Sequence, residues 1–250
     1  MASNISRPAI PSPPSPCTAA WPSKSCCQPV PARRCRRASK RSTQPTSSFP
    51  GRPVSTGCAK SGGCSEGETV LVLGASGSTG TTAIECAKAL GAKVIACASS
   101  EDKRQHCLDH GADQVVDYTQ DGWRDEVKAA TNKRGVDAVY DPVGGDMSEA
   151  ALRLMAPGGR FLVVGFVAGI AKIPMNLPLL KRCSLHGVNW GGTVMDDPSV
   201  VPPVIKTLAE WTMTGAINPA PTQTYKLEEA GRAFAALFGR RSSGSLVVIP

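Results

Sequence analysis

From residue 66 onward, short apolar runs alternate with stretches in which apolar positions recur every three to four residues. Residues 69–73 (TVLVL) have no polar side, which predicts a strand covered on both faces of a sheet. A Gly-rich turn follows, and then a helix over 78–90 stopped by Gly91. The alternation repeats with strand 93–97, helix 101–109 ending before Gly111, strand 114–116, helix 122–130 and strand 137–140. Helix 147–155 and strands 160–166 and 184–188 extend the series. Pro202 and Pro203 start a further helix to residue 214, because proline is accommodated in a first turn but not in a helix interior. Strands 223–226 and 246–249 come last. This order predicts an α/β fold with a doubly wound parallel sheet of the Rossmann type.

Residues 1–65 lack this pattern. They hold 13 Ser, 11 Pro and six of the ten Cys with very little Val, Leu or Ile, too little apolar surface to offset the entropy of ordering. The expectation is a disordered tail. Its composition of Arg and Ser without acid fits an organelle transit peptide, for chloroplast or mitochondrion, but also a low-complexity linker or wrongly joined upstream sequence; without a transit peptide the protein is expected in the cytoplasm. The remaining expected units are a nucleotide-binding domain over 66–219 and a C-terminal segment over 220–250.

The tail also explains the net charge of +8. It carries ten basic residues and no acid, leaving 18 basic against 20 acidic residues in the rest of the chain. The globular part is near neutral, so no nucleic-acid partner is expected. No membrane span is expected either, since the run 161–171 is only eleven residues long and lies between Arg160 and Lys172. Cys86, Cys97, Cys107 and Cys183 are scattered singly among apolar residues, which reads as small buried side chains rather than a metal or disulfide framework.

Candidate chemistry sits in the first turn. Gly74, Ala75, Ser76, Gly77, Ser78, Thr79 and Gly80 follow a strand and open a helix, the setting in which backbone N–H groups face a dinucleotide pyrophosphate. Gly77 would admit the phosphates and Gly80 would let the helix pack on the strand. At the end of the second strand, where an acid would bind the ribose 2′-hydroxyl of NAD, the residues are Ala98, Ser99 and Ser100. With no carboxylate there and Lys103 one turn later, the site suits NADP(H), although Glu101 and Asp102 weaken the field and Lys103 also reads as a solvated helix lysine. Tyr118 either closes the adenosine side or is a surface tyrosine.

The run GETVLVLGASGSTG at 67–80, AKALGA at 87–92, GAD at 111–113, Asp117-Tyr118, GVD at 135–137, DPVGG at 141–145, PGGR at 157–160 and VGF at 164–166 resembles the zinc-independent medium-chain dehydrogenases/reductases. The match is to the quinone oxidoreductase (zeta-crystallin-like) group, over residues 66–250. The resemblance implies that Ser76 to Thr79 hold the pyrophosphate, that Ser99, Lys103 and Tyr118 hold the 2′-phosphate and adenosine ribose, and that Gly144, Gly165, Phe166, Val188, Asn189 and Trp190 border the nicotinamide. It implies NADPH-dependent hydride transfer to a small electron acceptor, a quinone or enone, with no obligatory catalytic side chain and no metal site, and a homodimer paired through the strand near 184–189. Arg240 to Gly244 resembles the family's C-terminal turn, with Ser245 where many members have Lys. Those reductases also carry a GroES-like N-terminal domain, the other wall of the substrate cleft, and the tail stands in its place. Two alternatives follow: a catalytically incomplete NADPH-binding module, or a fragment of an incomplete gene prediction.

The histidines suggest no catalyst. His106 and His110 lie four residues apart on the second helix and read as a solvated face; His186 reads as a packed strand residue.

Overall fold

The computed structural model describes residues 64–218, 222–239 and 242–249. The expectations for the tail up to residue 63, including the transit peptide, and for Arg240 and Arg241 lie outside the described residues.

Among the described residues, eight strands and eight α-helices follow in the order β1 (Thr69–Val72), α1 (Ser78–Ala89), β2 (Lys93–Ala98), α2 (Glu101–Asp109), β3 (Gln114–Asp117), α3 (Trp123–Ala130), β4 (Val136–Asp141), α4 (Asp146–Leu152), β5 (Met155–Val163), α5 (Asn176–Lys181), β6 (Ser184–Gly187), α6 (Trp190–Asp196), α7 (Val201–Met213), β7 (Gln223–Lys226), α8 (Ala230–Phe238) and β8 (Leu246–Ile249). Six strands form one parallel sheet in the order β3-β2-β1-β4-β5-β6, the doubly wound order expected. β7 and β8 pair in parallel as a separate two-stranded sheet.

The apolar run of β1 is buried on both faces. Val70 and Val72 point into one core with Ile84 and Ala87 of α1, whereas Leu71 and Leu73 point into the other with Val127 of α3 and Leu152 of α4. Leu71 stands beside Ile95 of β2 and Val139 of β4, so each central strand contributes to both layers. Cys86, Cys97 and Cys107 are fully buried, and desolvation pushes their thiols up to about 12, which leaves them as inert packing groups. Cys64, assigned from sequence to the tail, is buried in the first core.

Polar ties set the starts of the strands. Asp137 on β4 accepts the Thr69 N–H at 2.9 Å and pairs with Arg134 at 2.5 Å. Arg160 on β5 grips both oxygens of Glu68 at 2.9 and 2.5 Å, and this contact holds the Glu68 carboxyl below its usual range.

Three differences from the sequence reading have physical causes. The helix predicted to end at 155 ends at Leu152, because Met155 pairs with Val136 and β5 runs irregularly through Pro157, Gly158 and Gly159. The strand predicted to reach 166 stops at Val163, because the Val164 and Gly165 N–H groups both turn to the Asp141 carbonyl, at 2.9 and 3.2 Å. The helices α5, α6 and α8 were not predicted. α5 is a six-residue helix containing Pro178, and α6 opens on Trp-Gly-Gly and depends on the Asn189 side chain, which accepts the Gly192 N–H at 3.0 Å.

Helix α1 presses directly on the end of β1. A Cβ at Gly80 would lie 2.4 Å from the Gly74 carbonyl oxygen and 2.6 Å from the Ala75 Cα. Gly80→Ala is therefore expected to cost about 1–3 kcal/mol or more of stability, read as a lower denaturation midpoint at unchanged slope.

Candidate functional site

The turn between β1 and α1 is pinned from both sides. Leu73 donates its N–H to Tyr140 O on β4 at 3.0 Å, and Ala75 donates to Cys97 O on β2 at 3.1 Å. Gly74 adopts φ +56°, where a Cβ would meet Val143 at 2.8 Å, so the turn both needs the left-handed conformation and lacks room for a side chain. Ala75 and Ser76 are buried. The Ser76 carbonyl accepts the Gly244 N–H at 2.7 Å, and the Ser78 and Ser245 hydroxyls lie 3.1 Å apart, so the C-terminal segment is fastened to this turn.

Gly77 differs from the other glycines of the turn. Its φ of −78° is open to any residue, and a Cβ there would meet only the Gly74 carbonyl oxygen, at an ordinary 3.4 Å. Nothing inside the protein requires glycine at this point. What a side chain would fill is the space before the first turn of α1. That turn has no acidic residue and no side-chain cap, whereas α2, α3 and α4 each carry two acids there. The N–H groups of Ser78, Thr79 and Gly80 therefore have no intrahelical acceptor and no acidic side chain beside them in that turn, which fits a pyrophosphate.

The β2 and β3 ends form one rim of the site. Ala98 is in register with Asp117, so Ser99 and Tyr118 leave adjacent strands side by side, with Tyr118 packed against the core. Lys103 lies in the first turn of α2, partly covered. The sequence reading missed Arg104, which bonds Glu101 at 2.6 Å and Asp117 at 2.7 Å with its side chain mostly covered. Asp117 also accepts the Thr119 N–H and hydroxyl, and these bonds, Thr119 first, hold its carboxyl low. Arg104 thus offsets the charge of Glu101 and Asp117, which reduces their repulsion of a ligand phosphate, while Asp102 in the same turn is paired with no cation among the described residues. The Glu101/Arg104 spacing of three residues was the available signal.

The opposite rim hangs on Asp141, which is buried at the end of β4. Its Oδ1 accepts the Val143 and Gly144 N–H groups at 2.8 and 2.9 Å, and its Oδ2 accepts the Ser148 hydroxyl. This carboxylate shapes the DPVGG loop against the loop after β5. A Cβ on Gly144 would sit 2.4 Å from Gly169 O and 2.8 Å from the Phe166 Cα, and one on Gly165 would sit 2.9 Å from Pro142 O. Gly144, Gly165 and Phe166 are brought together, with the two glycines serving loop-on-loop contact. The Phe166 ring is exposed. Val188 is buried and donates to Val163 O at 2.9 Å, while Asn189 caps α6.

His106 and His110 do not form a solvated face. His106 Nε2 lies 3.0 Å from the buried Thr81 hydroxyl on α1, and His110 Nδ1 lies 2.7 Å from Glu85, another buried α1 side chain. Glu85 also accepts the Asn218 N–H at 3.2 Å, so the cluster ties α2 and the chain after α7 to the helix that opens at the site. Burial, and then the His110 charge, push the His106 imidazole below its ordinary value. Among the described residues no group of three or more His, Cys, Asp or Glu could hold a metal ion. His186 on β6 is partly covered and meets Ser184 Oγ at 2.8 Å.

The family model for zinc-binding dehydrogenases matches residues 78–210. The chain is 38% identical over 184 residues to quinone oxidoreductase-like protein 2 of Rattus norvegicus, covering 73% of this chain and 53% of the relative. It is 33% identical over 186 residues to quinone oxidoreductase of Pseudomonas aeruginosa, with 74% and 57% covered. Among solved structures, Escherichia coli quinone oxidoreductase complexed with NADPH superposes with a TM-score of 0.73 at 28% identity, covering 81% of this chain and 63% of that one. The chain spans about half the length of the curated relatives it matches.

Two outcomes follow from the site's polar anchors. Asp141→Ala strands two loop N–H groups and a buried hydroxyl, and is expected to cost about 2–4 kcal/mol in chemical denaturation, with Asp141→Asn losing less. For His106 the folded state resists protonation, so its contribution is fully present above the ordinary imidazole value of about 6.5 and is lost as pH falls below it. Melting temperature is expected to drop between pH 7 and 5, and His106→Gln is expected to flatten that drop.

Proposed function

The chain belongs to the zinc-binding dehydrogenase family, on the quinone oxidoreductase-like branch of the medium-chain dehydrogenases/reductases, and from that premise we propose that residues 74–80 bind the pyrophosphate of NADP(H) in an oxidoreductase that reduces a quinone or enone. The observation that carries this reading is the uncapped, acid-free first turn of α1 behind Gly77. When bound, NADPH supplies the transferable hydride from its nicotinamide. The chain's own part is placement. Ser76, Gly77, Ser78 and Thr79 present backbone donors to the diphosphate from the turn, with Ala75 and Gly80 fitting it to the sheet. Ser99, Lys103 and Tyr118 receive the 2′-phosphate side, where Arg104 keeps Glu101 and Asp117 neutralised. Gly144, Gly165, Phe166, Val188 and Asn189 border the nicotinamide end and shield it from water. No acid–base side chain is assigned, and by the motifs that carry the resemblance the reaction needs no zinc.

Two partner surfaces support the reading. Phe234, Leu237 and Phe238 of α8, with Val248 and Ile249 of β8, leave apolar side chains exposed, which suits the other wall of a substrate cleft. β6 is an edge strand with Leu185 exposed, and Ile170, Met175 and Leu179 in the chain between β5 and β6 are exposed as well, which suits pairing of two copies in a homodimer. From the composition of its tail we place the protein in a chloroplast or mitochondrion.

The test is a fluorescence titration of the full chain with NADPH and NADH, followed by addition of 1,4-benzoquinone. NADPH is expected to bind at least tenfold more tightly than NADH, and quinone addition to oxidise it. Lys103→Ala is expected to weaken NADPH about tenfold, or about 1.4 kcal/mol, with NADH unchanged. Binding without oxidation would select a cofactor-binding module over an enzyme, and equal affinities would overturn the assignment of Ser99, Lys103 and Tyr118.

A further inference from the structure

On the face of the sheet covered by α3, α4 and α5, away from the α1 turn, lies a cavity of about 390 Å³. Its cations are Arg124 and Lys128, four residues apart on α3, Arg153 at the end of α4, and Lys181 in the last turn of α5. Its apolar lining is the buried Leu154 and Leu177 and the exposed Leu180. Four positive side chains around leucines stand out in a globular part that carries more acids than bases overall.

Helix ends account for only part of this charge. Arg153 and Lys181 sit at helix C-termini, where a cation is favoured in any case, and Arg153 and Lys128 are paired with Glu149 and Asp125. Arg124 has no such reason. It occupies the first turn of α3, where the dipole disfavours a cation, and among the described residues its side chain makes no hydrogen bond or ion pair. Lys181 likewise makes neither. Two cations whose side chains make no ion pair among the described residues therefore line a cavity of ligand size that also offers leucine surface.

We propose that this cavity binds a small amphiphilic anion, with its carboxylate or phosphate head on Arg124 and Lys181 and its aliphatic part over Leu177 and Leu180. The head would exchange water for two charge-assisted contacts, and the tail would cover the exposed Leu180. The site is separate from the nucleotide turn. Arg153 and Lys181 precede β5 and β6, at the N-terminal ends of the strands, whereas the turn follows the C-terminal end of β1.

The test is calorimetric titration of the full chain with decanoate below its micellar range, with decanol and decyltrimethylammonium as controls. Saturable 1:1 binding of decanoate is expected, at least tenfold tighter than either control and unchanged by saturating NADPH. The double variant Arg124→Ala/Lys181→Ala is expected to weaken decanoate at least tenfold at unchanged melting temperature. Leu180→Glu, at an exposed position, is expected to abolish binding while NADPH affinity stays intact. Absence of saturation, equal binding of decanol, displacement by NADPH, or a double variant that binds as the parent does would each overturn the proposal.

Discussion

The structure depends on one close approach, that of helix α1 to the backbone at the end of β1. Gly80 leaves so little space there that a single methyl group would overlap the Gly74 carbonyl and the Ala75 backbone. This contact places the start of α1 at the C-terminal edge of the sheet, between the neighbours β2 and β4. The turn beneath it is tied to both through Ala75 and Leu73. Every feature of the candidate site takes its position from this arrangement. The same helix carries Thr81 and Glu85 into the cluster with His106 and His110, so α2 is set against α1 through polar contacts as well as apolar ones.

Around that centre, buried and half-buried acids act as organisers of backbone. Asp141 gathers two N–H groups and a hydroxyl to shape one rim, Asp137 holds the start of β1, and Asp117 is held by Arg104 and Thr119 on the other rim. In each case the lone pairs are used by specific donors, as burial of a carboxylate requires. These donors fix each carboxylate in position, and at Asp117 and Asp137 an arginine also offsets the charge. Arg104 illustrates the point: it is engaged with Glu101 and Asp117, and its effect on the site is to cancel charge.

Much of this was legible in the chain because local chemistry and tertiary role coincide. The TVLVL run is apolar throughout because both of its faces are covered, and the helices α1 and α2 end before Gly91 and Gly111, which take positive φ. The Gly-rich turn was readable because Gly74 and Gly80 answer geometric demands that few other residues meet. Reading failed where local signals were weak or ambiguous. The apolar residues from Leu152 to Met155 fit a helix or a strand equally well, and only pairing with Val136 makes Met155 a strand residue. α6, opening on two glycines, exists because Asn189 caps it, which composition does not reveal.

The sequence by itself determined the order of the strands and of helices α1 to α4 and α7, the doubly wound parallel sheet and the position of the phosphate-type turn, since each follows from periodicity or from glycine's small size and backbone freedom over a few neighbouring residues. Tertiary structure alone decided that His106 and His110 face α1 rather than water, that Arg104 bridges Glu101 and Asp117, that Gly144 and Gly165 exist for loop contact, and that Gly244 is fastened to Ser76. Apart from the Glu101–Arg104 pair, three positions apart, those facts are relations between residues 13 to 168 positions apart. A pattern read along one element carries no information about which partner the folded chain will bring to it.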